Sequence, residues 1–354
     1  MSNWKGILTS GIYEIERELD LINSKLRHSS NKPLTIKTYL SFANQKKILV
    51  RGRVLEPKQI KPSGLNDSAF ENFVRNLHLI DSDEVSFAKV ETQCNSTKAL
   101  IVANEEGFIE EIIEAKTSSQ KSGQCLLTLT GDLQNRQLKE TYSAAFIAPQ
   151  KADFGVISDI DDTILKTNVH NLFKMARQIL FGNAYSRLLF DGVKEFYQAL
   201  HQGKNPIFYV SNSPWNLYDI LAEVFKLNNL PVGPIILRDW GLDANNSVAG
   251  NKKKNKIYEI KRIFEFYPKL EFILVGDSSQ QDPEIYSQIA AAYPTRILAV
   301  YIRDVSGLKR DAEIKLLSDK LKEHDIDLVL AKSTDVFFEH AREQGFIAKL
   351  LKPQ

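Results

Sequence analysis

Residues 154–165 read Phe154-Gly155-Val156-Ile157-Ser158-Asp159-Ile160-Asp161-Asp162-Thr163-Ile164-Leu165. The apolar run Phe154–Ile157 has the length and composition of a buried strand. Three carboxylates follow it at once, and buried charges are rare unless they are paired or bound to a metal. Because ligands of open α/β sheets bind at the carboxyl ends of the strands, this pattern predicts a cation and ligand site.

The spacing Asp159-x-Asp161-x-Thr163 allows two carboxylates to do different work on one phosphoryl group. Asp159 would attack phosphorus as the nucleophile and form an aspartyl phosphate. Asp161 would protonate the leaving alkoxide and then take a proton from the attacking water. Mg²⁺ would neutralise the cluster, since it prefers hard oxygen ligands. The alternative for this segment alone is a solvated acidic loop that caps the next helix.

The overall composition is that of an ordinary globular protein, with 354 residues, 43% hydrophobic and 25% charged. This length predicts two domains. A net charge of +2 gives no argument for nucleic acid as a partner, and none is expected. Membrane-spanning runs of about eighteen apolar residues and a secretory signal are both missing from the sequence. Cys94 and Cys125 are expected to be reduced thiols rather than a disulfide, which predicts a cytoplasmic location.

The first predicted region, residues 1–30, is an N-terminal amphipathic helix. Apolar residues recur at spacings of three and four within residues 7–27. The polar face is mixed in sign, which favours packing on the protein itself or on a partner over lying on a membrane.

The second predicted region, residues 31–150, is an all-β domain. Seven short strands separated by turn signals favour an immunoglobulin-like sandwich. They are Leu34–Phe42, Lys47–Leu55, Glu84–Gln93, Thr97–Asn104, Phe108–Ala115, Cys125–Thr130 and Thr141–Ala148. Residues 56–83 form an insertion in which Phe70–Leu79 is predicted to be helical. No catalytic constellation is apparent here, so the domain is interpreted as a binding or scaffolding module.

The third predicted region, residues 151–354, alternates strands with helices and therefore predicts a doubly wound, mostly parallel sheet. Its predicted strands are Phe154–Ile157, Ile207–Val210, Ile235–Leu237, Phe272–Val275, Ile297–Ile302 and Asp327–Ala331. Its predicted helices are Asn168–Leu180, Val193–Gln202, Asn216–Leu227, Lys256–Tyr267, Glu284–Ala292, Asp311–Glu323 and Thr334–Gln344.

Further polar residues follow the later strands of this region. Ser211 could hold phosphoryl oxygens, and Asp277 and Asp282 add carboxylates on a tight turn before a helix. Lys256 supplies a fixed positive charge, and phosphoryl transfer needs mainly positioning and charge stabilisation. Individually, Ser211 could be a helix cap, Asp277 a turn residue and Lys256 part of a solvated lysine run. Their order and their placement at strand ends favour a catalytic site.

This set of motifs resembles the haloacid-dehalogenase superfamily of phosphohydrolases. The motifs are Asp159-x-Asp161-x-Thr163, Ser211, Lys256 and Gly276-Asp277-x₄-Asp282. The wider segments around them, residues 158–164, 209–215 and 276–286 together with Tyr301-Ile302-Arg303-Asp304, resemble the actin-patch phosphatidate phosphatase family and its bacterial relatives. The match covers about residues 151–350, and Arg51–Leu55 resembles the family's β-rich amino-terminal region more weakly.

The resemblance implies a haloacid-dehalogenase-like fold and a role for each motif residue. Mg²⁺ would be held by the carboxylates of Asp159 and Asp277 and by the backbone carbonyl of Asp161, with Asp282 near the metal's water shell. Ser211 and Lys256 would bind the phosphoryl group. Thr163 would brace the loop, and Asp162 is given no role beyond loop capping. Ser279 stands where relatives more often have glycine. Lys256 is preferred over Lys253 and Lys254 because it alone is expected to open its helix.

The sequence predicts a magnesium-dependent phosphomonoesterase, and the resemblance implies that it converts phosphatidate to diacylglycerol and phosphate. The short segment between Leu165 and Asp191 leaves the crevice open, which suits peripheral contact with a membrane surface. Trp215, Phe173, Phe181 and Lys252–Lys254 could meet acyl chains and headgroup, or could be core aromatics and solvated lysines. The alternatives are a phosphatase for soluble or protein-bound phosphomonoesters, and a catalytically silent interaction protein.

Overall fold

The computed structural model describes residues 33–56, 83–115, 122–136, 142–149, 151–166, 189–238 and 248–348. The predicted helices within residues 7–27, 70–79 and 168–180 lie outside these ranges, as do Phe173 and Phe181. Among the described residues, no helix is both long enough and apolar enough to cross a bilayer.

The N-terminal β region contains two sheets that face each other across one core of apolar side chains. Its strands are β1 Thr35–Thr38, β2 Ser41–Phe42, β3 Lys47–Glu56, β4 Asp83–Glu84, β5 Lys89–Cys94, β6 Thr97–Val102, β7 Phe108–Glu114, β8 Ser122–Leu129 and β9 Tyr142–Ile147. The first sheet has the order β1-β3-β4 with β7 also paired to β3, and the second has the order β2-β9-β8-β5-β6. An all-β region is therefore present, while its immunoglobulin-like type stays a prediction.

Two predicted strands are each divided in the structure. Leu34–Phe42 becomes β1 and β2, which belong to different sheets, so the chain crosses between the sheets at residues 39–40. Glu84–Gln93 is interrupted by a turn in which Phe87 has a φ of 57°, a left-handed conformation that no regular strand contains.

The two cysteines are joined in a disulfide between β5 and β8, so the expectation of reduced thiols is wrong. Cys94 and Cys125 are directly opposite each other in the antiparallel register, with their Cα atoms 4.4 Å apart. Their separation of 31 residues along the chain hides this proximity. The cytoplasmic location inferred from free thiols loses that support.

The C-terminal region is built on a six-stranded parallel sheet, as the alternating pattern predicted. Its strands are β10 Gly155–Ser158, β11 Ile207–Pro214, β12 Ile235–Arg238, β13 Phe272–Asp277, β14 Ile297–Arg303 and β15 Asp327–Ala331. Its helices are α1 Val193–His201, α2 Tyr218–Leu227, α3 Val248–Phe266, α4 Asp282–Ala292, α5 Leu308–Lys322 and α6 Thr334–Glu343.

The strand order β12-β11-β10-β13-β14-β15 places a topological switch point at β10, because the chain extends to one side through β11 and to the other through β13. Side chains alternate between the two faces, as period-two strands require. Val156 joins the core beneath α1, α2 and α6, whereas Ile157 joins the core beneath α3, α4 and α5. The carboxyl end of β10 is therefore flanked by two parallel neighbours and covered on both faces.

The two regions pack tightly against each other. Tyr39 enters the first core of the C-terminal region, and Phe42 enters the second. The Phe42 ring centroid lies 5.5 Å from that of Phe208 and 4.8 Å from that of Phe266. The N-terminal β region thus completes both hydrophobic cores of the C-terminal region.

Candidate active site

The candidate site lies at the switch point, where the carboxyl ends of β10, β11 and β13 meet. Asp159 directly follows β10, and its backbone N–H donates to the carbonyl of Val275 on β13 at 2.9 Å. Asp277 ends β13, and Asp282 begins α4. The register of the parallel strands brings residues from distant parts of the chain to one edge.

Three carboxylates and one ammonium form the buried centre of the site. Asp159, Asp277 and Asp282 each offer an oxygen, and these atoms all lie within 4.8 Å of one another. Lys256 donates from Nζ to Asp159 Oδ1 at 2.7 Å and to Asp282 Oδ1 at 2.5 Å. The four residues are at most 1% exposed. One ammonium cannot balance three carboxylates, so the cluster carries excess negative charge whenever all three are ionised.

The pKa shifts express this imbalance. Burial raises the pKa of Asp159 well above its usual range, against the opposing effect of Lys256, and the neighbouring carboxylates raise it further. Burial likewise raises the pKa of Asp277 to about 6. Burial would lower the pKa of Lys256, but Asp159 and Asp282 reverse this and raise it. Lys256 therefore stays protonated, and its single positive charge does not neutralise the three carboxylates.

The turn after β13 holds Asp277 by one oxygen and leaves the other free. Asp277 Oδ1 accepts from the backbone N–H of Ser279 at 2.6 Å, from its hydroxyl at 2.5 Å and from the N–H of Gln280 at 3.1 Å. Asp277 Oδ2 is buried without a hydrogen-bond partner among the described residues. Gly276 allows Asp282 to approach, because a Cβ there would lie 2.6 Å from Asp282 Oδ2. Ser279 thus adds a hydrogen bond that a glycine could not make.

Asp161 is held apart from this cluster by two serines. Its Oδ2 accepts from the hydroxyls of Ser211 at 2.9 Å and Ser213 at 2.7 Å, while its Oδ1 is buried without a partner among the described residues. Burial raises the pKa of Asp161, against the two hydrogen bonds, which lower it. Two chemically distinct aspartates therefore stand side by side, one beside a lysine and one beside hydroxyls.

Ser213 is a site residue to which the sequence motifs assign no role. The signal was present, because residues i and i+2 of a strand point to the same side, and β11 extends through both Ser211 and Ser213. The predicted strand ends at Val210, four residues before the observed end at Pro214, and so does not include either serine.

Lys256 contacts the carboxylates, whereas Lys253 and Lys254 do not lie against them. The prediction that Lys256 opens its helix is wrong. The helix α3 begins at Val248, so Lys256 lies in its third turn rather than at its start. Lys254 is exposed and Lys253 is partly exposed, whereas Lys256 is buried against the carboxylates. Its position around the helix axis, not its distance from the helix start, aims it at the site.

The loop after Asp159 is braced from two sides. The Thr163 hydroxyl lies 3.4 Å from Asp159 Oδ2, and Arg303 donates from Nε to the Thr163 carbonyl at 3.0 Å. Asp162 adopts a left-handed conformation with a φ of 58°, and its N–H donates to the carbonyl of Leu165. Arg303 is 3% exposed, and it belongs to the motif Tyr301-Ile302-Arg303-Asp304, to which the sequence assigns no role. Together these contacts fix the direction of the Asp159 side chain.

The residues fit a hard divalent cation. Asp159, Asp277 and Asp282 each offer a carboxylate oxygen, the ligand type that Mg²⁺ prefers, and Asp277 Oδ2 has no hydrogen-bond partner among the described residues. A cation beside Asp159, Asp277 and Asp282 would supply the charge that Lys256 alone does not. The Asp161 carboxylate already accepts hydrogen bonds from two serines. The family resemblance implies that Asp161 would bind the cation through its backbone carbonyl instead.

Comparison with known proteins supports the resemblance. Residues 154–304 match the family model described as the catalytic domain of the phosphatidate phosphatase APP1. The phosphatidate phosphatase APP1 of Saccharomyces cerevisiae is 35% identical over 175 residues, which are 49% of this chain and 29% of that protein. An uncharacterized protein of Schizosaccharomyces pombe is 27% identical over 212 residues, 58% of this chain and 34% of that one. The chain thus spans about a third of the length of these curated relatives.

A solved structure of a HAD family hydrolase from Deinococcus radiodurans R1, with bound phosphate and sodium, also aligns with the chain. The alignment covers 56% of this chain and 99% of that one, with 13% identity and a TM-score of 0.32. A TM-score this low establishes no shared fold, so the fold described above rests on its own strand order.

Proposed function

We propose that the protein is a magnesium-dependent phosphatidate phosphatase, because residues 154–304 match the family model described as the catalytic domain of the phosphatidate phosphatase APP1. It would hydrolyse phosphatidate to diacylglycerol and inorganic phosphate through an aspartyl phosphate. The observation that carries the proposal is the pair of aspartates at the end of β10, of which Asp159 bonds to Lys256 and Asp161 to two serine hydroxyls.

The proposed Mg²⁺ would be held by the carboxylates of Asp159 and Asp277 and by the backbone carbonyl of Asp161, with Asp282 near its water shell. When bound, it would offset the negative charge of the carboxylates and of the phosphoryl group. The remaining steps belong to side chains of this chain.

Asp159 is suited to be the nucleophile because Lys256 and Thr163 fix its carboxylate. A carboxylate oxygen of Asp159 forms a bond to phosphorus as the bond from phosphorus to the alkoxide oxygen breaks. Lys256 remains charged throughout and compensates the transferred phosphoryl group.

Asp161 is suited to move the protons because burial raises its pKa, which favours the protonated carboxyl that a general acid requires. It gives its proton to the leaving alkoxide, which departs as the alcohol. It then takes a proton from the water that attacks phosphorus, and this second step releases phosphate and restores Asp159. Ser211 and Ser213 keep the Asp161 carboxylate in one orientation during both transfers.

Phosphate release from phosphatidate in mixed detergent micelles tests the proposal, with Mg²⁺ or a chelator present and a soluble aryl phosphate in parallel. Magnesium-dependent release that favours the lipid is the expected result, and it would also support contact with a membrane surface. Turnover of the aryl phosphate alone would retain the chemistry and remove the lipid substrate. Full turnover in chelator would contradict the metal, and no turnover of either ester would favour an interaction protein.

A further inference from the structure

The motif Tyr301-Ile302-Arg303-Asp304 contains a buried arginine that the proposed mechanism does not use. Arg303 is the last residue of β14 and is 3% exposed. It forms no ion pair with any residue that the structure describes. Because a buried charge is costly unless it is paired or well hydrogen-bonded, neutral groups must hold this guanidinium in place.

Three neutral acceptors on separate segments surround the guanidinium. Its Nε donates to the carbonyl of Thr163 at 3.0 Å, its Nη1 to the carbonyl of Lys332 at 3.2 Å, and its Nη2 to the hydroxyl of Thr334 at 3.0 Å. The Phe190 ring covers it, with the ring centroid 4.3 Å from the guanidinium carbon. Only the planar fork of an arginine can reach several acceptors in this way.

Arg303 contacts both of the acidic loops that are proposed to hold Mg²⁺. Its side chain reaches Thr163, whose hydroxyl lies 3.4 Å from Asp159 Oδ2. Its backbone carbonyl accepts from the N–H of Ser278, the residue after Asp277, at 2.9 Å. Arg303 and Asp277 are also register partners on the parallel strands β14 and β13. One residue therefore holds the loop of each carboxylate, one through its side chain and the other through its backbone.

The sheet order explains why a long side chain is needed for this contact. Strand β13 lies between β10 and β14, so the loop after β10 is two strand spacings, about 10 Å, from the strand that carries Arg303. The arginine side chain extends past the end of β13 to meet this loop. It thereby joins the ends of three neighbouring strands at the edge where the candidate site lies.

We propose that Arg303 is a positioning residue that sets the separation of Asp159 and Asp277, and through it the affinity of the site for a divalent cation. Removing a partner that orients metal ligands lowers metal affinity or activity by roughly 10–100-fold. Arg303→Lys keeps the positive charge, but an ammonium cannot reproduce the three directed contacts. The proposal rests on the metal of the proposed function and not on its substrate.

Arg296→Lys is the matched control for Arg303→Lys, because Arg296 makes similar contacts at the opposite end of β14. Its Nε donates to the carbonyl of Leu270 at 2.9 Å and its Nη2 to that of Tyr267 at 2.6 Å. Its guanidinium carbon lies 4.8 Å from the Phe264 ring centroid. Since Arg296 immediately precedes β14, it lies at the edge of the sheet away from the candidate site.

The probe is Mn²⁺, which takes the same oxygen ligands as Mg²⁺. It is titrated into the full chain without substrate, and the free ion is followed by electron paramagnetic resonance. Arg303→Lys should bind Mn²⁺ about tenfold more weakly than the wild type, and Arg296→Lys should bind it equally well. At saturating Mg²⁺, kcat for phosphatidate should fall about tenfold in Arg303→Lys with KM unchanged, because the proposed nucleophile is misplaced.

Equal Mn²⁺ affinities of Arg303→Lys and the wild type would overturn the proposal, even if the wild type hydrolyses phosphatidate. Equal weakening in both arginine variants would indicate a general loss of structure and would overturn it as well. Absence of Mn²⁺ binding to the wild type would reject both the metal and the positioning role. Weaker binding by Arg303→Lys alone, in a protein without turnover, would retain the positioning role and reject the proposed function.

Urea unfolding in chelator shows whether each variant is folded. Thr334→Val is the second variant, for use if Arg303→Lys does not fold. It keeps the shape of the side chain and removes the hydroxyl that accepts from Arg303 Nη2. Loss of this one hydrogen bond predicts roughly threefold weaker Mn²⁺ binding. An unchanged affinity of folded Thr334→Val would overturn the proposal.

Discussion

Two clusters of charge lie along the same helix, α3, and they differ in their balance of positive and negative groups. Around Lys256, one ammonium faces the carboxylates of Asp159, Asp277 and Asp282. One turn further along, Glu259 and Arg262 meet residues of the N-terminal β region. There, Arg51 and Arg262 are paired with Glu110 and Glu259, two positive charges with two negative ones.

The difference indicates which cluster needs a ligand. The balanced cluster satisfies its charges within the protein, so it acts as a structural joint between two regions. The unbalanced cluster does not. Burial raises the pKa of the buried acids in both clusters, but two arginines oppose this at Glu259, whereas neighbouring carboxylates raise the pKa of Asp159 and Asp277 further. A buried group of acids becomes a candidate site when the charges around it fail to cancel, not merely because it is acidic.

The largest expected effect comes from Asp159→Asn. Loss of the proposed nucleophile should lower kcat by at least about a thousandfold. Because the substitution removes one negative charge from an overcharged cluster, the free energy of unfolding without metal should stay the same or rise. Steady-state phosphate release and urea unfolding in chelator measure the two quantities. Retained turnover would reject Asp159 as the nucleophile.

The same chemical change in the balanced cluster should have the opposite effect on stability. Glu259→Gln leaves Arg51 and Arg262 short of a partner, and breaking a buried ion pair costs about 3 kcal/mol. Urea unfolding monitored by circular dichroism would show this loss. Glu265→Gln, an exposed change on the same helix, should stay within about 0.5 kcal/mol of the wild type. Equal stabilities of the two variants would remove the distinction between the clusters.

A smaller effect is expected from Ser213→Ala, which removes one of two donors to Asp161. Misorientation of the proposed acid and base should lower kcat by about tenfold. Hydrogen bonds to a carboxylate stabilise its ionised form and lower its pKa, so loss of one should raise the pKa of Asp161.

The limb of the pH profile of kcat that reports Asp161 should therefore move to higher pH in this variant. Ser318→Ala, on α5, is the control and should leave the profile unchanged. A uniform loss of rate with no displacement of the profile would argue for a purely structural role of Ser213.

The smallest effect concerns Glu110, whose side chain is 40% exposed. Burial would raise the pKa of Glu110, but Arg51 and Arg262 outweigh it and lower the pKa to about 2 from 4.5. Because the pKa is lower in the folded state, this stabilisation is complete above about pH 4.5 and is lost as the pH falls towards 2.

Glu110→Gln should therefore cost less than about 1 kcal/mol at pH 7, since solvent screens an exposed pair. The difference from the wild type should shrink between pH 4.5 and pH 2, which urea unfolding at several pH values would measure. A difference that grew as the pH fell would contradict the assigned direction of the shift.

The sequence predicted the features that depend on local pattern. The strand that ends before Asp159, the alternation of strands and helices and the parallel sheet all follow from short-range periodicity and turn signals. The structure brings Asp159, Lys256, Asp277 and Asp282 together because parallel strands present their carboxyl ends on one side.

The features that the sequence does not predict depend on how strands align with each other and on which side of a helix a residue lies. Cys94 and Cys125 are opposite each other only because of how β5 and β8 align. Lys256 reaches the carboxylates because of its angle around α3, within a helix whose start was placed eight residues too late. The pairing of Arg51 with Glu259 joins residues from two regions, and no pattern within either region reveals it.

Tyr39 and Phe42 lie outside the segment that matches the family model, yet they pack inside the hydrophobic cores of the parallel sheet. The family match starts at Phe154, more than one hundred residues after both rings, and both rings belong to the hydrophobic cores of the C-terminal region. A protein cut at residue 150 would lose the rings that cover Trp215, Tyr218, Phe208 and Phe266. It would expose an aromatic surface to water, and it would be prone to self-association. The segment that matches the family model is thus shorter than the segment whose side chains pack into one core.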